Sequence, residues 1–129
     1  MHVVNSGGMC QFVMMAANTS NIPEWFNAVT GWDMNLDEIM EVGERISNLR
    51  MAYEVREGGN PRKRAVPTRI TGQTTEATHA GPLQGVKLDT ETLELDFLNA
   101  CDWDTTTTKP SKAKLESLGL QDVAMALHA

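Results

Sequence analysis

The stretch NLDEIMEVGERISNLRMAYEVREGG, Asn35 to Gly59, is the longest continuous pattern in the chain. Leu36, Ile39, Met40, Gly43, Ile46, Leu49 and Tyr53 recur at intervals of three and four, the period of an amphipathic α-helix. Asn35 followed by Glu38 has the form of a capping box, in which side chain and backbone satisfy each other at the helix start. Asp37, Glu38 and Glu41 favour the positive end of the helix dipole, and Arg56 favours the negative end. Gly58 and Gly59 provide the stop. Residues 36–57 at 1.5 Å each make a rod of about 33 Å, long enough to be the spine of a small domain.

Shorter helices are predicted on either side. Residues 8–17, GMCQFVMMAA, are rich in helix formers, with Asn5 or Ser6 as the expected cap. NTSNIP ends that segment. Pro23 opens a helix over 23–29, closed by Thr30 and Gly31. Residues 60–88 lose all periodicity and carry three prolines and many threonines, so they read as a long irregular connection with a brief extended piece at Thr68–Thr71. A helix over 90–101 follows, with Leu93, Phe97, Leu98 and Ala100 as its apolar side. DWDTTTTKP is a turn-rich break. Ser111 caps SKAKLESLG, Gly119 stops it, and QDVAMALHA is a last short helix. The expected fold class is all-α: a compact helical domain with a long amphipathic central helix and long irregular loops.

The 129 residues suit one compact domain with a core of its own. With 17 acidic residues against 11 basic, the net charge of −6 argues against nucleic acid as the main partner, since phosphate binding needs a cationic surface. The longest apolar run, Met9 to Ala17, is broken by Gln11 and falls well short of the ~20 residues of a membrane span. No basic head of a secretory signal precedes it. Cys10 and Cys101 are expected as free thiols in a reducing cytoplasm, a long-range disulfide being the alternative.

Cys10 is the residue that points to chemistry. It follows two glycines at the expected start of an apolar helix, where backbone amides favour a thiolate, which is a nucleophile and a metal ligand. A buried structural cysteine is the other reading. Nucleophilic catalysis needs a base, and His2, His79 and His128 are at no spacing that supplies one. Two distant cysteines make neither a zinc site nor the four-thiolate set of an iron–sulfur cluster, so a ligand role for Cys10 requires partners outside this sequence. No catalytic residue is assigned. PRKR, 61–64, reads as a solvated loop, Trp32 and Trp103 as packing anchors, and Asp102 and Asp104 as loop caps.

The order NSGGMCQF, TGWDMNLDEIMEVGERISNLRMAYEVREG, VPTRI, GPLQG, DWD and LESLGL resembles the C-terminal end of the tungsten-containing aldehyde ferredoxin oxidoreductase family over nearly the whole chain. GERISNL…REG is its most specific part. The resemblance implies an enzyme that oxidises aldehydes to carboxylic acids on tungsten held by two pterin dithiolenes, with electrons passing through a 4Fe-4S cluster to ferredoxin. The family motif of Asp, two residues, Gly, an apolar residue and Cys falls on Asn5, Gly8, Met9 and Cys10. The resemblance implies that Cys10 is the last cluster ligand and that Asn5, Gly8 and Met9 lie beside a pterin. Asn5 replaces the usual Asp, keeping a hydrogen-bond acceptor and losing the charge. The implied partners are the upstream, cofactor-bearing half of the parent enzyme and, for that parent, ferredoxin. The chain is expected to be a fragment of the larger enzyme, 1–129 forming its C-terminal helical domain, and to be cofactor-free and inactive alone. Its bare face is expected to favour homodimers or a partly frayed N-terminus. The alternative is a stand-alone helical protein-interaction module without redox activity.

Overall fold

The computed structural model describes residues 2–73, 82 and 84–129, with no side-chain description at Val13. Its helices are α1 (His2–Ser6), α2 (Gln11–Ala16), α3 (Asn21–Thr30), α4 (Leu36–Arg56), α5 (Thr68–Thr71), α6 (Thr90–Ala100), α7 (Lys112–Ser117) and α8 (Gln121–Leu127), with a 3₁₀ turn at Pro61–Lys63. The only β pairing among the described residues is an isolated bridge between Trp103 and Pro110, so the chain is all-α. No described helix is long and apolar enough to cross a membrane. The helices fall into two compact units, residues 1–53 with 112–129, and residues 54–111.

The spine helix forms as its ends dictate. Glu38 Oε2 accepts the Asn35 N–H at 2.8 Å while Asn35 Oδ1 accepts the Glu38 N–H at 3.0 Å, a closed capping box. At the other end Gly58 N–H donates to Val55 O at 3.0 Å and Gly59 N–H to Glu54 O at 2.8 Å. Gly58 has φ +81. These are the two bonds and the left-handed residue of a Schellman stop.

The buried face of α4 is not the predicted stripe. Ile39 is buried and Ile46 half-buried, but Leu36, Met40, Leu49 and Tyr53 are exposed, and Asn48 and Ala52 are buried instead. The cause is that different stretches of the helix meet different neighbours. Ile39 joins Val3, Val4 and Ile22 in a core flanked by Met9, Met14, Phe26 and Met34. Gly43 admits α1 closely, since a Cβ there would lie 2.9 Å from Val3 Cγ2. Further along, Arg45 Nε donates to Leu118 O at 2.7 Å and Glu44 pairs with Lys114 at 2.8 Å, so α7 packs on another side. Leu115, Leu118 and Ala124 form the buried centre of α7 and α8. The loop into α4 is held by Asn27, whose amide donates to Met34 O and accepts from Met34 N–H, at 2.9 and 3.1 Å.

In the second unit Asp89 caps α6 by accepting the Thr92 N–H at 3.1 Å. Of the predicted apolar side only Leu98 is buried; Leu93, Phe97 and Ala100 are exposed. Trp103 folds back as the residue after the helix stop, its N–H on Leu98 O at 2.9 Å and its ring edge-on to Phe97 at 5.7 Å. Thus Trp103 is a buried anchor while Trp32 is exposed. Asp104 Oδ1 accepts from the N–H groups of Thr106 and Thr107, the capping role expected of it. Asp102 accepts from Ser111 Oγ.

Two expectations between 60 and 88 are corrected. Thr68–Thr71 is a single helical turn, not an extended piece: Pro67 fixes the turn geometry and its carbonyl takes the Ile70 N–H at 2.9 Å, which outweighs the β preference of Thr and Ile. The basic run 61–64 is not simply solvated. Arg62 donates to Thr105 O and pairs with Glu91 at 2.7 Å and Glu94 at 3.3 Å, and Arg64 pairs with Glu54. Those carboxylates raise the Arg62 pKa, the Glu91 hydrogen bond most of all. Gly81 and Leu83 of the GPLQG motif, and His79, lie outside the described residues.

Candidate functional site

The segment around Cys10 differs from its sequence reading at the start. Asn5 and Ser6 do not cap a helix beginning at residue 8. They lie in α1, and the glycines form the stop between α1 and α2. Valines at 3 and 4 supply α1 with its two core contacts, and this early burial outweighs the cap preference of Asn and Ser.

The stop has a definite hydrogen-bond pattern. Gly7 N–H donates to Val3 O at 2.8 Å, Gly8 N–H to Asn5 O at 3.3 Å and Met9 N–H to Val4 O at 3.0 Å. Gly8 has φ +71, which an L side chain adopts only at a cost. A Cβ at Gly7 would meet Phe26 Cζ at 2.6 Å, whereas one at Gly8 would meet nothing within 4 Å. A side chain at Gly7 would therefore have to displace the Phe26 ring, and one at Gly8 would strain the backbone. Met9 then turns its side chain into the Val3, Val4, Ile22 and Ile39 core.

Cys10 comes next. Its carbonyl accepts the Met14 N–H at 3.2 Å, which makes it the residue that begins α2. Its thiol is free and exposed, so the buried structural reading is overturned. Cys101, likewise in no disulfide, is half-buried at the end of α6. Asn5 and Gly8 are exposed and Met9 is half-buried. The structure thus brings Asn5, Gly8, Met9 and Cys10 into one turn, with the asparagine and the cysteine on its outer side.

The chain on either side of that turn carries no acidic or strongly basic side chain. No Asp, Glu, Lys or Arg occurs from residue 2 to residue 23. On α2 Phe12 is 82% and Met15 77% exposed, one helical turn apart. Among the histidines, His2 sits half-buried in α1, where burial, followed by the charge of Arg50, lowers its pKa below the usual value and favours the neutral ring. No group of three or more His, Cys, Asp or Glu that could hold a metal occurs among the described residues. Gly7 and the core role of Met9 escaped the sequence reading. The signal was the two valines one turn before the glycines, which pack the turn from beneath.

Residues 1–120 match the family model described as aldehyde ferredoxin oxidoreductase, domains 2 and 3. The chain is 26% identical over 121 residues to the tungsten-containing aldehyde ferredoxin oxidoreductase of Pyrococcus furiosus, and equally to that of Pyrococcus horikoshii. It is 23% identical to the protein of the same description from Thermococcus kodakarensis. Each match covers 93% of this chain and 19% of the relative. The chain therefore spans about a fifth of the length of the curated relatives it matches.

Proposed function

The chain belongs to the aldehyde ferredoxin oxidoreductase family, and from that membership we propose that it supplies the C-terminal helical part of an enzyme oxidising aldehydes to carboxylic acids, with electrons leaving through a 4Fe-4S cluster to ferredoxin. Cys10 gives that cluster one thiolate. The observation that carries the reading is the exposed thiol of Cys10, at the start of α2, in the turn where the family motif falls.

The residues present fit a shared site. A 4Fe-4S cluster takes four thiolates, and this sequence has two cysteines, so the remaining ligands come from the upstream, cofactor-bearing part of the enzyme. The cluster, once bound, supplies one-electron transfer. Cys10 holds it at Sγ. The exposed Asn5 amide offers an acceptor to a pterin amine of the tungsten cofactor, and the bare backbone at Gly8 permits close approach. The exposed Phe12 and Met15, on a stretch of chain without charged side chains, suit burial against that upstream part. Produced alone, the chain leaves this face open to self-association as homodimers.

The test is co-production with the polypeptide carrying the upstream family domain, purified without oxygen. Iron and sulfide at a four-iron stoichiometry, with the EPR signal of a reduced cluster, are expected for the wild type and for Cys101→Ser. Cys10→Ala should lose them. A full cluster in the Cys10→Ala complex would refute the assignment.

A further inference from the structure

Resting on the reading of Cys10 as a cluster ligand, we infer that Gly8 and Met9 are positioning residues that fix the Cys10 thiol from the N-terminal side. A cluster ligand has to be presented in one place, because the metal fixes the sulfur position to within a few tenths of an ångström. An exposed cysteine on a short helix is not held by burial of its side chain. Here the backbone does so.

The chain enters Cys10 through a stop whose three N–H groups are bonded to Val3, Asn5 and Val4 carbonyls. Gly8 makes that path possible by taking the left-handed conformation, φ +71. Met9 locks it, since its side chain is packed in the Val3 and Val4 core one residue before the thiol. Beyond Cys10 the chain is held again, by the Met14 N–H on the Cys10 carbonyl at 3.2 Å. The cysteine is thus pinned on both sides while its own side chain stays outside. Met9 acts through Cys10, with its side chain turned toward the core. The two glycines divide the work: Gly7 clears Phe26, and Gly8 sets the direction of exit.

This assignment can be read without any cluster. The 129-residue chain, as Cys101→Ser, is spin-labelled at Cys10, and the mobility of the nitroxide is measured by EPR. Gly8→Ala puts a methyl into open space, so its only effect is on the backbone. It should increase label mobility about twofold, as the path into Cys10 becomes disordered on the nanosecond scale. Gly8→Asn should restore the wild-type line shape, because asparagine tolerates this conformation. Met9→Ala should also loosen the label, and Met9→Leu should not.

Gly58→Ala is the matched control. Gly58 sits at the same position of the α4 stop, with φ +81 and nothing within 4 Å of a Cβ. It bears a similar strain and should leave the label unchanged. The inference is overturned if Gly8→Ala and Met9→Ala keep the wild-type line shape, or if Gly58→Ala mobilises the label as much as they do. Its failure is separate from failure of the ligand assignment, which shows only in the iron content of the complex. A rigid turn with a Cys10→Ala complex that still holds iron refutes the ligand; a label as mobile in wild type as in Gly8→Ala, with an iron-free Cys10→Ala complex, refutes the positioning.

Discussion

Leu115→Ala should be among the most damaging single truncations in the first unit, and it should exceed Ile46→Ala. Leu115 has 0% exposure at the centre of α7. Replacing it by alanine removes three carbons, about 2.4 kcal/mol of transfer free energy at ~0.8 per carbon. The void left behind adds to this, giving a total of about 3 kcal/mol, within the usual range of 2–5 for buried leucine. The backbone carbonyl that accepts the Leu120 N–H at 2.9 Å is retained, so the loss is one of packing. Ile46 lies on the stripe that the sequence marks as the core of the spine, but it is only half-buried. Its truncation leaves a dent that water fills, and about 1 kcal/mol is expected. Urea melts followed by far-UV circular dichroism compare the two directly. At an m-value of about 1.5 kcal/mol/M, the Leu115 variant should melt ~2 M earlier than wild type and the Ile46 variant less than ~1 M earlier. The reverse order would mean that α4 is buried along its predicted stripe, and that the packing of α7 described here is wrong.

Asn35→Ala should lower stability by about 1 kcal/mol, and Asn35→Asp should leave the urea midpoint nearly unchanged, because only the first removes the acceptor for the Glu38 N–H. Stability should decline as pH falls from about 6.5: the unfolded chain takes up the His2 proton first, since burial depresses the folded value, and His2→Asn should flatten this part of a midpoint-versus-pH curve. A second decline should begin below the ordinary carboxylate value of 3.8, as Asp104 and Asp89, both depressed by hydrogen bonds from threonines, lose those bonds on protonation; Asp104→Asn should weaken it. Timed iodoacetamide labelling with peptide mass spectrometry should modify Cys10 before Cys101, since Cys10 is exposed and Cys101 half-buried; the opposite order would contradict the described turn.

The ends of the spine helix were legible in the sequence and its buried face was not. A capping box or a glycine stop is settled by residues within one turn of each other, so Asn35, Glu38, Gly58 and Gly119 mark real boundaries. A buried face is settled by whatever packs against it. Ile39 and Asn48 are nine residues apart, about half a turn out of phase at 3.6 residues per turn, and both are buried. One stripe of fixed period cannot pass through both. The exposed Leu49 and Tyr53, and Leu93 and Phe97 on α6, follow from the same cause: their spacing is amphipathic, and no described neighbour covers them fully. α1 was missed because five residues are too few to show a period.

The same distinction bears on the candidate site. In the family motif the glycine, the apolar residue and the cysteine look alike as evidence, since each occupies its expected place. The fold separates them. Gly8 is required by the α1 stop, whatever binds nearby, and Met9 is required by the core. A chain that had lost all redox chemistry would still need both to keep this turn. Cys10 is different: its backbone begins α2, a task that many residues perform, and its thiol is exposed. Nothing in the packing of the described residues calls for sulfur there. Of these three, Cys10 is therefore the one whose side-chain chemistry the fold leaves unexplained, and its substitution separates a working enzyme part from a helical module that keeps only the shape.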